Sequence, residues 1–206
     1  MANLSKSKYI TYCQCPKALW LKQYKSEEMV IDPLTQARFD AGTEVGELAK
    51  RLFGDFVEAT TYKTAADGTQ RLDLGAMAAA TQKALAEGAE NIAEAAFIYD
   101  GCYCAVDLLH KTPHGYAIYE VKSSTDLKEL EVYAQDVAYQ KYVLTNCGLN
   151  ITGTYLVNID NEYVLDDKLD VKGFFRINDI SEAVAEEYAK VAVQTKAAKK
   201  IGRAHV

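Results

Sequence analysis

Ala105-Val106-Asp107-Leu108-Leu109, then the turn Thr112-Pro113-His114-Gly115, then Ala117-Ile118-Tyr119-Glu120-Val121-Lys122: this stretch decides how the chain folds. Two apolar runs of strand length flank residues with turn chemistry, the pattern of an antiparallel hairpin. With Thr112 paired to Gly115, counting outward sets Asp107 opposite Glu120. Directly opposed residues lie about 4.5–5.5 Å apart at Cα and share a face. Lys122, two positions beyond Glu120, points the same way. The register therefore predicts two carboxylates and an ammonium gathered on one face, and a slip of one residue would disperse them.

Strands this apolar are usually covered on both sides, where a charged trio is costly unless it is paired or holds a metal. Two close carboxylates repel, and a divalent cation relieves that repulsion. Hard oxygen donors favour magnesium or manganese. A neighbouring lysine can then stabilise charge on a phosphoryl group. The same residues fit a cross-strand ion pair at a sheet edge equally well. Oxygens facing apart, or locked onto the amine with no room for an ion, would overturn the hydrolase reading. An acid, any residue, then lysine occurs at Glu120–Lys122, Asp126–Lys128, Asp166–Lys168 and Asp170–Lys172. Only the first ends an apolar strand with an aspartate in the strand before it.

Around the hairpin the periodicity changes twice. Thr35 to Phe53 reads as a helix through Phe39, Val45, Leu48 and Leu52, and Gly75 to Ile92 is alanine-rich and helical. Ala95 to Tyr99 and Cys102 to Leu109 read as strands joined by the tight turn Asp100-Gly101. Tyr116 to Val121 follows as a strand. Leu130 to Leu144 is helical, Ile151 to Ile159 and Tyr163 to Leu165 are strand-like, and Ile180 to Ala198 is a helix. That order predicts an α/β domain with a mixed central sheet flanked by helices.

The 206 residues suit one domain spanning 1–206. A hydrophobic share of 49% and a charged share of 25% exclude disorder and collagen-like structure. No stretch approaches the roughly 18–20 apolar residues of a membrane span, and the start lacks an apolar signal core, so a cytoplasmic location is expected. The net charge is -6, yet the basic residues are uneven. The segment 1–26 carries Lys6, Lys8, Lys17, Lys22 and Lys25 with no acid, and 196–203 carries Lys196, Lys199, Lys200 and Arg203 with none. Such ends suit contacts to backbone phosphates, or simply solubility. Cys13, Cys15, Cys102, Cys104 and Cys147 are an odd set without the Cys-x2-4-Cys spacing of structural zinc. The alternation of Cys102 and Cys104 places both on one buried strand face.

Several segments together resemble the PD-(D/E)XK nuclease superfamily, especially RecB-type nucleases, including those of CRISPR adaptation, and the N-terminal half of a bacterial family of uncharacterised proteins. These are Leu4 to Tyr9 with Tyr12 to Lys17 and Trp20-Leu21; Phe39 to Ala49; Glu94-Ala95-Ala96-Phe97; Asp107; Glu120 to Thr125; and Asp136 to Tyr142. The resemblance implies a restriction-endonuclease-like core and a magnesium- or manganese-dependent deoxyribonuclease. It implies metal binding by Asp107, Glu120 and the carbonyl of Val121, with Lys122 as the catalytic lysine. Gln140 matches the glutamine that steadies similar sites, on a helix face shared with Tyr133 and Asp136.

RecB-type enzymes often carry a histidine ligand on the first helix. Here that stretch has none, and Glu44 or Glu47 is the candidate replacement. His110, His114 and His205 are expected in loops. Related nucleases can hold an iron–sulfur cluster, for which only Cys15 matches a ligand, so no cluster is expected. The tail from Lys200 to Val206 is similar to the segment that precedes the other cluster cysteines, which implies either a truncated piece or a lineage without the cluster. DNA is the expected partner. The alternatives are an inactive nucleic-acid-binding or assembly module with the same fold, and an interaction fragment of a larger protein.

Overall fold

The structure, a computed structural model, describes residues 4–30 and 32–201. Arg203 and His205 lie outside the described residues. From the N-terminus the order is β1 (Leu4–Ser5), α1 (Lys6–Gln14), α2 (Pro16–Tyr24), α3 (Pro33–Ala49), β2 (Val57–Glu58), β3 (Tyr62–Thr64), β4 (Gln70–Leu72) and α4 (Leu74–Ala86). Then come β5 (Asn91–Tyr99), β6 (Cys102–Thr112), β7 (Gly115–Lys122), α5 (Leu130–Asn146), β8 (Ile151–Ile159), α6 (Val171–Phe174), β9 (Phe175–Asp179) and α7 (Ser181–Ala198).

The main sheet is mixed, with strand order β2-β5-β6-β7-β8-β9 and β1 alongside β6. Its centre is the meander read from the sequence. Asp100 and Gly101 both take positive φ (43° and 71°), as a tight two-residue hairpin turn requires. At the next turn Thr112 pairs with Gly115, and the ladder runs on to Leu108 opposite Tyr119. One more step opposes Asp107 to Glu120. There the ladder opens: β7 pairs only with the second half of β6, and β1 pairs in parallel with Cys102 and Tyr103 in the first half. Since β5 holds the other edge of β6, β1 fills the edge that β7 leaves.

The sheet is covered on both sides. On one, α1, α5 and α7 bury Ile92, Ala95, Val106, Leu109, Ile118 and Leu156. On the other, Leu48 of α3 and Leu52 and Phe53 just after it pack on Ala93, Leu108 and Tyr119. Simple alternation fails at one rung. Ile92 and Ala95 share a side although three apart, and so do Val106 and Leu109. Glu94 and Asp107 are the residues at the slip, and Glu94 takes a left-handed φ of 53°.

Three expectations are corrected. The alanine-rich helix ends at Ala86, with Gly88 at φ 79°, and Asn91-Ile92 already belong to β5. Tyr163 to Leu165 forms no strand; the last strand is β9, paired antiparallel to β8. His110 sits in β6, with Nδ1 2.6 Å from Asn91 Oδ1 and its ring stacked on Phe53. Tyr163-Val164-Leu165 is an apolar run beside an aspartate-rich loop, but β9 is the segment that pairs with β8. Cys102 and Cys104 are both buried in one cluster, as their alternation requires, and all five cysteines are free thiols. Among the described residues no helix is long and apolar enough to cross a membrane.

Candidate functional site

The site forms where β6 and β7 part. Glu120, near the end of β7, is almost wholly buried at 1% exposure. Both of its oxygens accept from Lys6 Nζ, at 3.0 and 3.1 Å. Lys122 Nζ donates to Oε1 at 2.5 Å, and Gln140 Nε2 to Oε2 at 2.6 Å. Burial pushes the Glu120 carboxyl up, but Lys122 and Lys6 more than reverse it and hold it well below the usual range. Asp107 takes the place of a ladder carbonyl: its Oδ2 accepts the Val121 N–H at 2.7 Å. Its other oxygen lies 3.7 Å from Lys6 Nζ. Burial and the Glu120 charge raise the Asp107 pKa despite both lysines.

The helix α5 supplies the back wall through residues spaced three and four apart. Asp136 Oδ2 lies 3.3 Å from Lys122 Nζ, and Tyr133 presents its ring to the same ammonium at 5.7 Å. Gln140 is fully buried, and its amide nitrogen also donates to Asp136 Oδ1 at 3.1 Å. With both N–H groups on carboxylates the amide orientation is determined, and Gln140 Oε1 is left without a hydrogen-bond partner. Burial and the nearby Glu120 charge lift the Asp136 pKa to about 6.

Sequence reasoning missed Lys6. It follows β1 directly, so the parallel pairing of Leu4 with Cys102 delivers it to the opening between β6 and β7. Its Nζ also lies 3.9 Å from Asp136 Oδ1, so three carboxylates from β6, β7 and α5 converge on one ammonium. Burial disfavours that charge, yet Asp107, Asp136 and Glu120 outweigh it and hold the Lys6 pKa well above its ordinary value. No local pattern marks a lysine whose partner lies 114 residues away. Glu94, quoted in the sequence without a role, lines the site beside Asp107; burial and the Asp107 charge push its pKa up to about 7.

The structure thus brings Asp107, Glu120, Lys122 and Gln140 together. Val121 lines a groove of about 490 Å³ with Asp107, Glu120 and Lys122, walled by Arg38, Phe39, Thr43 and Glu47 of α3. Glu47 reaches this groove, but its carboxylate is paired with Lys50 at 2.6 Å. Glu44 is exposed and lines no part of the groove. Cys15 is exposed at the start of α2.

Among the described residues, no group of three or more His, Cys, Asp or Glu side chains stands ready to take a metal. The carboxylates converge on an ammonium instead: both Glu120 oxygens are bonded to lysine, the arrangement that, read from the sequence, counts against a metal. The donors are acidic oxygens, as magnesium and manganese require, and the point demands positive charge. The donor atoms are of the kind a hard divalent ion takes, but as they stand the described residues present no group arranged to hold one. No family model matches the chain, and no curated protein matches it.

Proposed function

We propose that this chain is a divalent-metal-dependent nuclease that hydrolyses DNA phosphodiester bonds on a PD-(D/E)XK-type, restriction-endonuclease-like core. One observation carries the reading: Asp107 and Glu120, from adjacent strands, meet at a single cationic point with Lys122 bonded alongside. Asp107, Glu120 and the main-chain carbonyl of Val121 would hold the ion. The chemistry that magnesium or manganese supplies in such a site is neutralisation of phosphate charge and a lowered pKa for water. Lys122 stabilises the charge that develops on the phosphoryl oxygens. Asp136 and the Tyr133 ring hold Lys122 in position, and Gln140 holds Glu120. On the α3 wall, the Arg38 guanidinium suits a phosphate and the Phe39 ring a base.

The test is digestion of labelled DNA with magnesium or manganese. Wild-type protein should cleave it, and Lys122→Ala and Glu120→Ala should not, with circular dichroism showing both variants folded. Equal digestion by all three proteins would exclude the assignment.

A second reading, an inactive nucleic-acid-binding or assembly module of the same fold, is favoured by the Lys6 ammonium between the carboxylates. Such a module takes up no manganese in calorimetry, yet binds DNA with a steep salt dependence.

A further inference from the structure

We propose that Lys6 is an intramolecular counter-ion that occupies the cation position and leaves it when a divalent ion binds. The proposal rests on the metal-dependent reading above and adds a residue and an exchange step to it.

The two lysines are held differently. Lys122 has Glu120, Asp136 and the Tyr133 ring around it. Among the described residues the Lys6 ammonium hydrogen-bonds only Glu120; Asp107 and Asp136 attract it from 3.7 and 3.9 Å. The main chain leading into it is held at Leu4, whose N–H donates to the Gly101 carbonyl at 3.1 Å and whose carbonyl accepts from the Tyr139 hydroxyl at 2.6 Å. The side chain beyond has four rotatable bonds. Lys6 lines both the 490 Å³ groove and an adjoining groove of about 700 Å³, so its ammonium has open space to enter.

Position decides the direction. Three carboxylates converge on the Lys6 ammonium within 4 Å. An ion at that meeting point would sit within a few ångströms of Lys6 Nζ, where like charges repel strongly.

The experiment compares manganese binding by wild type and Lys6→Met in calorimetry. Lys6→Met should bind on the order of tenfold tighter or more, the effect of removing a like charge about 4 Å away. Its metal-free melting temperature should fall and recover with manganese. Manganese binding by wild type with equal or weaker binding by Lys6→Met overturns the exchange and leaves the metal site standing. Binding by neither protein overturns the metal-dependent reading, and the exchange with it. Wild-type protein offers a measurement that needs no variant: acetylation of Lys6 by an N-hydroxysuccinimide ester, read by peptide mass spectrometry. Saturating manganese should raise Lys6 labelling several-fold, and unchanged or reduced labelling overturns the proposal.

Discussion

Glu94 and Asp107 occupy the one rung that the β5–β6 ladder skips, between Ala93–Leu108 and Ala95–Val106, where both strands change sides. Glu94 holds φ at 53°, a conformation unusual for any residue but glycine. The slip turns two acids toward the α3 groove, and neither charge is comfortable there. Burial comes first in raising both pKa values; the Asp107 charge comes second for Glu94, which reaches about 7, and the Glu120 charge second for Asp107.

A pH dependence follows from Glu94. Between an unfolded value near 4.5 and a folded value of about 7, the folded chain binds more protons than the unfolded one, so stability falls as pH rises through that window. Glu94→Gln should remove at most about 3 kcal/mol of that decline. Urea denaturation from pH 4 to 8 checks it: parallel wild-type and Glu94→Gln profiles would show that Glu94 does not carry the effect.

Asp107→Asn should separate stability from ion binding. The amide oxygen keeps the Val121 N–H bond and the repelling charge disappears. At neutral pH the metal-free variant should be more stable than wild type. It should also lose manganese binding. Thermal melts with and without manganese read both, and a less stable variant would contradict the account.

Tyr139 ties β1 into place. Its hydroxyl donates to the Leu4 carbonyl at 2.6 Å and accepts from the Tyr103 N–H at 3.2 Å, while its ring stacks on Tyr9. Tyr139→Phe keeps the ring and orphans two buried backbone groups, a cost of about 1–3 kcal/mol. Hydrogen exchange should show lost protection at Leu4 and Tyr103 first, with α7 unaffected. Uniform loss across the sheet would place the hydroxyl in a general role rather than at the β1 anchor.

Gly115 sets the register that brings Asp107 to Glu120. It takes φ 155°, and a Cβ there would lie 2.1 Å from the Asn150 carbonyl oxygen. The backbone must move or the hairpin must shift. Gly115→Ala should destabilise by more than about 2 kcal/mol, on the scale of severe steric substitutions. Equilibrium unfolding tests it, and a near-neutral effect would mean that the β7–β8 junction is looser than described.

Much of the centre of this fold is legible in a single strand pair. Period-two alternation, the Asp100-Gly101 turn and the four residues from Thr112 to Gly115 are local signals, and together they set the second half of β5, then β6 and β7 and the opposition of Asp107 to Glu120. Spacing on one helix likewise put Tyr133, Asp136 and Gln140 on a common face. What the chain order could not express is pairing at a distance. The two-residue strands β1 and β2 exist only because longer strands offer them an edge, and β9 is defined by β8. The side-slip at Glu94 is a three-dimensional compromise between two covered faces. Lys6 reaches Glu120 only through the parallel insertion of β1. Local backbone chemistry is written in neighbouring residues, whereas the charge that occupies the site depends on which distant segment the closed sheet admits.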